Sequence, residues 1–180
     1  MELAKDLWTI GHSTRSAEEF CGLLQQYSIE VLADVRLLPG SRRYPHFNAE
    51  HLARTLRENG IDYVHFPDLG GRRKPKKDSP NVAWRNESFR GYADYMMTPG
   101  FAQAMQRLLT LAAEKRAAIM CAESLWWQCH RALISDYAKV RGVKVWHIVG
   151  ARKVEEHPYT SAAQIVNGEL SYGDLVTRSG

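Results

Sequence analysis

The sequence predicts a single three-layer α/β domain built on a mostly parallel, Rossmann-like sheet. Short apolar runs alternate with longer amphipathic ones from Leu7 to Val149. This strand–helix alternation repeats four times, and parallel neighbours need a crossover, usually helical, to join them. No linker and no internal repeat interrupts a chain of 180 residues, the size of one ordinary domain. Residues 1–150 are therefore read as the α/β core. Residues 151–180 are read as a polar C-terminal tail packed on that core, not a separate domain.

Each element has its own signal. "LWTIG" (Leu7–Gly11) is a buried strand ending at glycine. "SAEEFCGLLQQY" follows as a helix, with Ser16 and Glu19 spaced as a capping box and Phe20, Leu23, Leu24 and Tyr27 at helical spacing. "IEVLADVR" is a second strand, continuously apolar as a strand covered on both faces should be. "NAEHLARTLRENG" is a helix between an Asn48 cap and Gly60, and "IDYVHFP" is a third strand. A long basic loop and a short helical piece around Tyr92 to Met97 come next. They precede the strong helix "PGFAQAMQRLLTLAAEK". Strand "AAIMCA", a helix from Trp126 to Arg141 and strand "VKVWHIV" complete the core. The tail lacks clear periodicity and is expected to hold a short helix or hairpin.

The totals narrow the class. Hydrophobic residues at 44% and charged residues at 24% describe a globular chain. No run reaches the roughly 18 apolar residues of a spanning helix. The opening "MELAKDLWTIGHS" has no apolar core followed by a small-residue cleavage site, so it is not read as a signal peptide. Three cysteines do not make a disulfide framework, and a cytoplasmic location is expected. Of the net charge of +4, five positive charges sit in "RRKPKK", leaving a near-neutral body with one basic loop. Arg72, Arg73, Lys74, Lys76 and Lys77 there are either a solvated surface or a phosphate or nucleic-acid contact. The flanking glycines and prolines suggest a loop that could close over a ligand.

In a parallel sheet the ligand crevice lies beyond the carboxyl ends of the strands. The segments there are "GHST", "ADVR", "DLGGRR", "CAES" and "WHIVGAR", richer in polar and reactive groups than turns require. "CAESLWWQCHR" (Cys121–Arg131) is the densest. With Ser124 as its cap, the helix would put Cys129 to Arg131 just past its first turn, with Trp126, His130, Leu133 and Tyr137 along one stripe. A thiol at a helix N-terminus beside His130, Arg131 or Arg36 acquires thiolate character, and the same amides seat an anion. Free cysteine is also a common buried hydrophobe, and Cys21, within the first helix, reads as that. Cys121, Cys129, His130 and either His12 or His147 could supply four zinc ligands. The C-x7-C-H pattern matches no familiar zinc motif, so no metal is assigned. P-loop, dinucleotide, nucleophile-elbow and H-E-x-x-H motifs are missing, and the cofactor stays unknown.

The set "TIGHST", "DVRLLPGS", "YVHFPDLGG" and "CAESLWWQCHR" resembles the domain of unknown function 488 family, from about Trp8 to Ile148. The resemblance implies a small prokaryotic cytoplasmic α/β protein and supplies no substrate. It implies site residues His12, Ser13, Asp34, Arg36, Pro39, Ser41, Gly70, Gly71, Cys121, Glu123, Cys129, His130 and Arg131. Three functions follow, in order. In the first, an enzyme acts on an anionic, phosphate-bearing small molecule or nucleotide. Arg36, Arg131 and the amides after Gly70 hold the anion. Asp34, Glu123 and His12 transfer protons, and Cys121 or Cys129 is the nucleophile. The second is a nucleic-acid-associated protein using the basic loop and "SRRYPHF". The third is a thiol redox or metal-binding protein. The account requires His12, Asp34, Arg36, Glu123 and Arg131 to gather at one strand-end cleft.

Overall fold

The computed structural model describes residues 3–174. Strand β1 (Asp6–Gly11) leads through α1 (Ala17–Gln26) to β2 (Val31–Asp34), then through α2 (Ala49–Glu58) to β3 (Asp62–His65). Helices α3 (Glu87–Tyr95) and α4 (Pro99–Glu114) return the chain to β4 (Ala117–Cys121). Helix α5 (Arg131–Val140) then leads to β5 (Lys144–Gly150), and β6 (Lys153–Glu156) folds back on it. A hairpin of β7 (Gln164–Val166) and β8 (Glu169–Ser171) closes the described chain.

The central sheet has the order β3-β2-β4-β1-β5-β6, parallel except for antiparallel β6. Alternate side chains of each strand feed two cores. Phe20 and Leu24 of α1 and Leu52 and Leu56 of α2 pack with Ile10, Leu32 and Met120 on one face. Tyr92, Phe101, Met105 and Leu133 of α3, α4 and α5 pack with Ala33, Ile119 and Val145 on the other. The result is three layers. Strand β4 lies between β1 and β2, yet its chain leaves toward the α5 face while theirs leave toward the α1–α2 face. Such a reversal opens a crevice at the strand ends.

Local chemistry explains the borders. The Ser16–Glu19 capping box forms as its spacing requires. Asn48 begins α2 without capping it, because its Oδ1 accepts from the Ser41 amide at 2.5 Å. The helical piece expected at Tyr92 to Met97 is the end of α3, which Asn86 caps earlier by accepting from the Phe89 amide. The helix expected from Trp126 needs a larger correction. A single 3-10 turn (Trp126–Gln128) is followed by extended Cys129, and the α-helix starts only at Arg131. Ser124 caps nothing. Its carbonyl accepts from Arg131 Nη2 instead. The expected stripe running from Trp126 to Tyr137 is therefore broken.

The basic loop is anchored to the body at several points. Asp94 accepts from the Lys76 amide, Ser79 Oγ and Asn81 Nδ2, which anchors the segment to α3. Gly91 allows the Arg73 carbonyl to press on the helix, since an added Cβ would lie 2.0 Å from that oxygen. The tail supplies β6 to the sheet edge and buries His157, Ala162, Ala163 and Tyr172. The tail expected to continue to residue 180 lies outside the described residues beyond residue 174.

Candidate functional site

The crevice is a cleft of about 1040 Å³ lined by segments following β1, β2, β3 and β4. It brings together His12, Ser13, Arg36, Ser41, Gly71, Cys121, Glu123, Cys129 and His130. Arg43, Tyr44, Arg72, Ser88, Phe89 and Tyr92 join them; the sequence points to Arg72 through the basic loop and to Arg43 and Tyr44 through "SRRYPHF", but not to Ser88, Phe89 or Tyr92 as site residues. Clefts of about 650 and 540 Å³ elsewhere hold no cysteine or histidine. Asp34, Gly70 and Arg131 do not line the cleft but stand behind it.

The floor is a sulfur pair. Cys121 Sγ and Cys129 Sγ lie 3.0 Å apart, both buried. Because the helix begins late, extended Cys129 turns its sulfur back onto the Arg131 amide at 3.4 Å. The Arg131 side chain is buried, and its Nε donates to Cys121 Sγ at 3.0 Å and Cys129 Sγ at 3.2 Å. Burial alone would raise the Cys129 thiol, but the hydrogen bond from Cys121 and the charges of Arg131 and His130 bring it down to about 5. Burial and the bond to Cys129 push Cys121 well above its ordinary value. The opposite shifts favour Cys121 as the donor and Cys129 as the acceptor of their shared hydrogen bond.

Arg131 reaches no ligand space. Nη1 donates to Thr9 Oγ1 at 3.2 Å, and Nη2 to the carbonyls of Glu123 at 2.7 Å and Ser124 at 3.2 Å. This explains the glycine of "GHS": an added Cβ at Gly11 would lie 1.6 Å from the Glu123 carbonyl oxygen. The Glu123 side chain itself is exposed. Asp34 is likewise turned inward. It accepts from Arg36 Nε at 2.9 Å and Nη2 at 2.7 Å, the Arg36 amide at 3.1 Å and Tyr63 Oη at 2.6 Å. Arg36 Nη2 also donates to the Phe47 carbonyl, while no described protein group accepts from Nη1.

Two imidazoles flank the floor. Burial lowers His12 to about 4, and its ring stacks on Phe47 at 4.3 Å. Its Nδ1 bonds the Ser13 carbonyl at 2.9 Å, which places the proton on Nδ1 and leaves Nε2 an acceptor. Burial also lowers His130, whose Nε2 bonds the Val35 carbonyl at 2.7 Å. Its Nδ1 faces Gly71, where an added Cβ would lie 3.2 Å away. Gly70 is needed for packing, since a Cβ there would be 2.7 Å from the Leu37 Cα. Ser13 and Arg72, both on the cleft, hold left-handed backbone at φ 51° and 61°, strain of a kind that clusters at functional sites. Among the described residues, no group of three or more His, Cys, Asp or Glu side chains is placed to hold a metal ion.

Behind the sulfurs runs a polar chain that the sequence did not disclose. Thr9 Oγ1 bonds His147 Nδ1 at 2.6 Å, His147 Nε2 bonds His157 Nδ1 at 2.8 Å, and His157 Nε2 bonds Asp136 Oδ1 at 2.8 Å. Asp136 also accepts from the Thr160 amide, Thr160 Oγ1 and Tyr172 Oη. Arginine can only donate and carboxylate only accept, so the bonds point from Arg131 to Asp136 with each ring protonated on Nε2. Burial lowers His147 to about 2, and Trp126 stacks on its ring at 4.4 Å.

Fold and site together define a parallel α/β protein whose strand-end cleft carries a thiol pair on a buried arginine. The chain belongs to the family described as domain of unknown function DUF488, whose model matches residues 16–138. No curated protein and no solved structure matches the chain. The matched span includes Asp34, Arg36, both cysteines of the pair, Arg131 and Asp136. His12, Ser13, His147 and His157 lie outside it.

Proposed function

We propose that this protein is a thiol-dependent enzyme acting on a small anionic ligand, bearing phosphate or carboxylate and extending to nucleotides. The observation that carries the reading is the Cys129 sulfur held by Arg131 at the floor of a cleft whose walls present Arg36, Arg43 and Arg72. Cys129 is the nucleophile, because a thiolate attacks where a thiol does not. Arg36 Nη1, Arg43, Arg72 and Ser41 receive the anion. Arg131 prepares the nucleophile instead of touching the ligand. Unprotonated His12 Nε2 and the exposed Glu123 carboxylate are the proton carriers on the rim. A pair kept as thiols fits a cytoplasmic location. Among the described residues, no helix is long and apolar enough to cross a membrane.

The test compares alkylating agents of opposite demand. Iodoacetate is an anion and iodoacetamide is neutral, so a cationic cleft favours the first although its intrinsic reactivity is lower. Cys129 is expected to be carboxymethylated faster than it is carbamidomethylated. Inorganic phosphate should slow both reactions, and Arg43→Ala with Arg72→Ala should shrink the preference. A faster neutral reagent together with no effect of phosphate would contradict the anion-binding half.

A nucleic-acid reading draws on Arg72, Lys74, Lys76 and Lys77, exposed on the anchored loop. Arg73 is withdrawn from it, its guanidinium lying 3.8 Å over the Tyr95 ring. This reading requires oligonucleotide binding that weakens steeply with salt.

A further inference from the structure

We propose that Cys121 and Cys129 are a dithiol–disulfide couple, and that the cleft carries out thiol–disulfide exchange with a low-molecular-weight disulfide bearing carboxylate or phosphate groups. The proposal rests on the preceding reading of the cleft as a thiol site for anions and adds what the second sulfur does. Nucleophilic attack needs one thiolate. Here a second sulfur stands 3.0 Å from the first, and both line the same cleft. A pair buried only for packing would sit among apolar groups. This pair shares the Nε of an arginine that is otherwise held by Thr9, Glu123 and Ser124. That scaffold fixes both sulfurs from the side away from the cleft. Asp136 and the two histidines extend it into the core.

The exchange runs in two balanced steps. Cys129 thiolate attacks one sulfur of the substrate R–S–S–R. The Cys129–S–S–R bond forms, the substrate bond breaks, and one thiolate leaves with the electron pair. Cys121 then gives up its proton and attacks the Cys129 sulfur. The Cys121–Cys129 bond forms and the second thiolate leaves. One proton from Cys121 and one from solvent end on the two released thiols. The substrate disulfide is reduced and the protein pair oxidised, and two small thiols reverse the reaction. The arginines of the rim select the anionic disulfide, and a cleft of about 1040 Å³ admits one.

Trypsin cleaves after Arg116 and Arg131, so both sulfurs fall in one peptide, Ala117–Arg131. Native protein is treated with glutathione disulfide, which is anionic, or with cystamine, which is cationic, and that peptide is weighed without reductant. The expected result is loss of two hydrogens with glutathione disulfide, at a rate about tenfold above that with cystamine. Cys121→Ser, or Cys121→Ala if the serine does not fold, should stop at a glutathione adduct on Cys129. Two free thiols in native protein under conditions that oxidise the urea-unfolded chain would overturn the proposal. So would cystamine reacting as fast as glutathione disulfide. If Cys129 is still preferentially alkylated by iodoacetate while no disulfide forms, the anionic thiol site stands and the exchange proposal alone falls.

Discussion

At the scale of single residues, Gly11 and Gly22 make a paired test. Gly11 is legible in the sequence as a strand stop, but its reason is not local: it is the Glu123 carbonyl, 112 residues further along the chain, which Arg131 holds. Gly11→Ala forces that carbonyl off Arg131. It is expected to cost about 1–3 kcal/mol in urea unfolding and to raise the apparent pKa of Cys129. Gly22, inside α1, has nothing within 4 Å of a built Cβ, so Gly22→Ala should stabilise by about 0.5–1 kcal/mol. Asp34 was expected at the site and serves it indirectly. Asp34→Asn leaves the Arg36 guanidinium buried beside a neutral amide, and the loss should reach about 3 kcal/mol or more in the same assay.

At the scale of elements, the strands and most helices were legible because periodicity and caps are local signals. The start of α5 was not. Trp126, His130 and Leu133 fall at helical spacing, but the burial of Arg131 against two sulfurs decides where the helix begins, and spacing carries no trace of that. The anchoring of the loop after Gly71 was hidden for a related reason, since its anchor, Asp94, sits on a helix expected to begin later. Neutralising Arg72, Lys74, Lys76 and Lys77 together should change stability by only a few tenths of a kcal/mol per charge, as for exposed charges generally. Asp94→Asn, which weakens three anchoring bonds at once, should cost about 1–3 kcal/mol. A larger loss from the lysine and arginine changes than from Asp94→Asn would show that the charges, not the anchor, hold the loop.

At the scale of the molecule, the parallel-sheet rule was enough to bring His12, Arg36, Glu123 and the cysteines to one edge. It could not reveal Asp136 and His157, 21 residues apart, because a tail without periodicity gives no hint that it covers α5. The buried histidines make folding pH-dependent. His12 at about 4 and His147 at about 2 both lie below the ordinary value of 6.5. Between 6.5 and those values the unfolded chain binds protons that the folded chain does not, so the contribution of these two histidines is full above 6.5 and is lost as pH falls. Each histidine contributes a slope approaching about 1.4 kcal/mol per pH unit. Urea midpoints from pH 7 to pH 5 should fall accordingly, and a flat profile would remove both rings from the neutral buried state.

The central claim is that Arg131 and Cys121 hold Cys129 as a thiolate at the floor of the cleft. The most direct measurement is the rate of Cys129 alkylation against pH, followed by mass spectrometry of the peptide Ala117–Arg131 in native protein. The account predicts a half-maximal rate near pH 5, a plateau through neutrality, and a shift toward the ordinary thiol range in Arg131→Met. A rate that climbs only around pH 8.5 or above, or a native Cys129 that does not react at all, would contradict it.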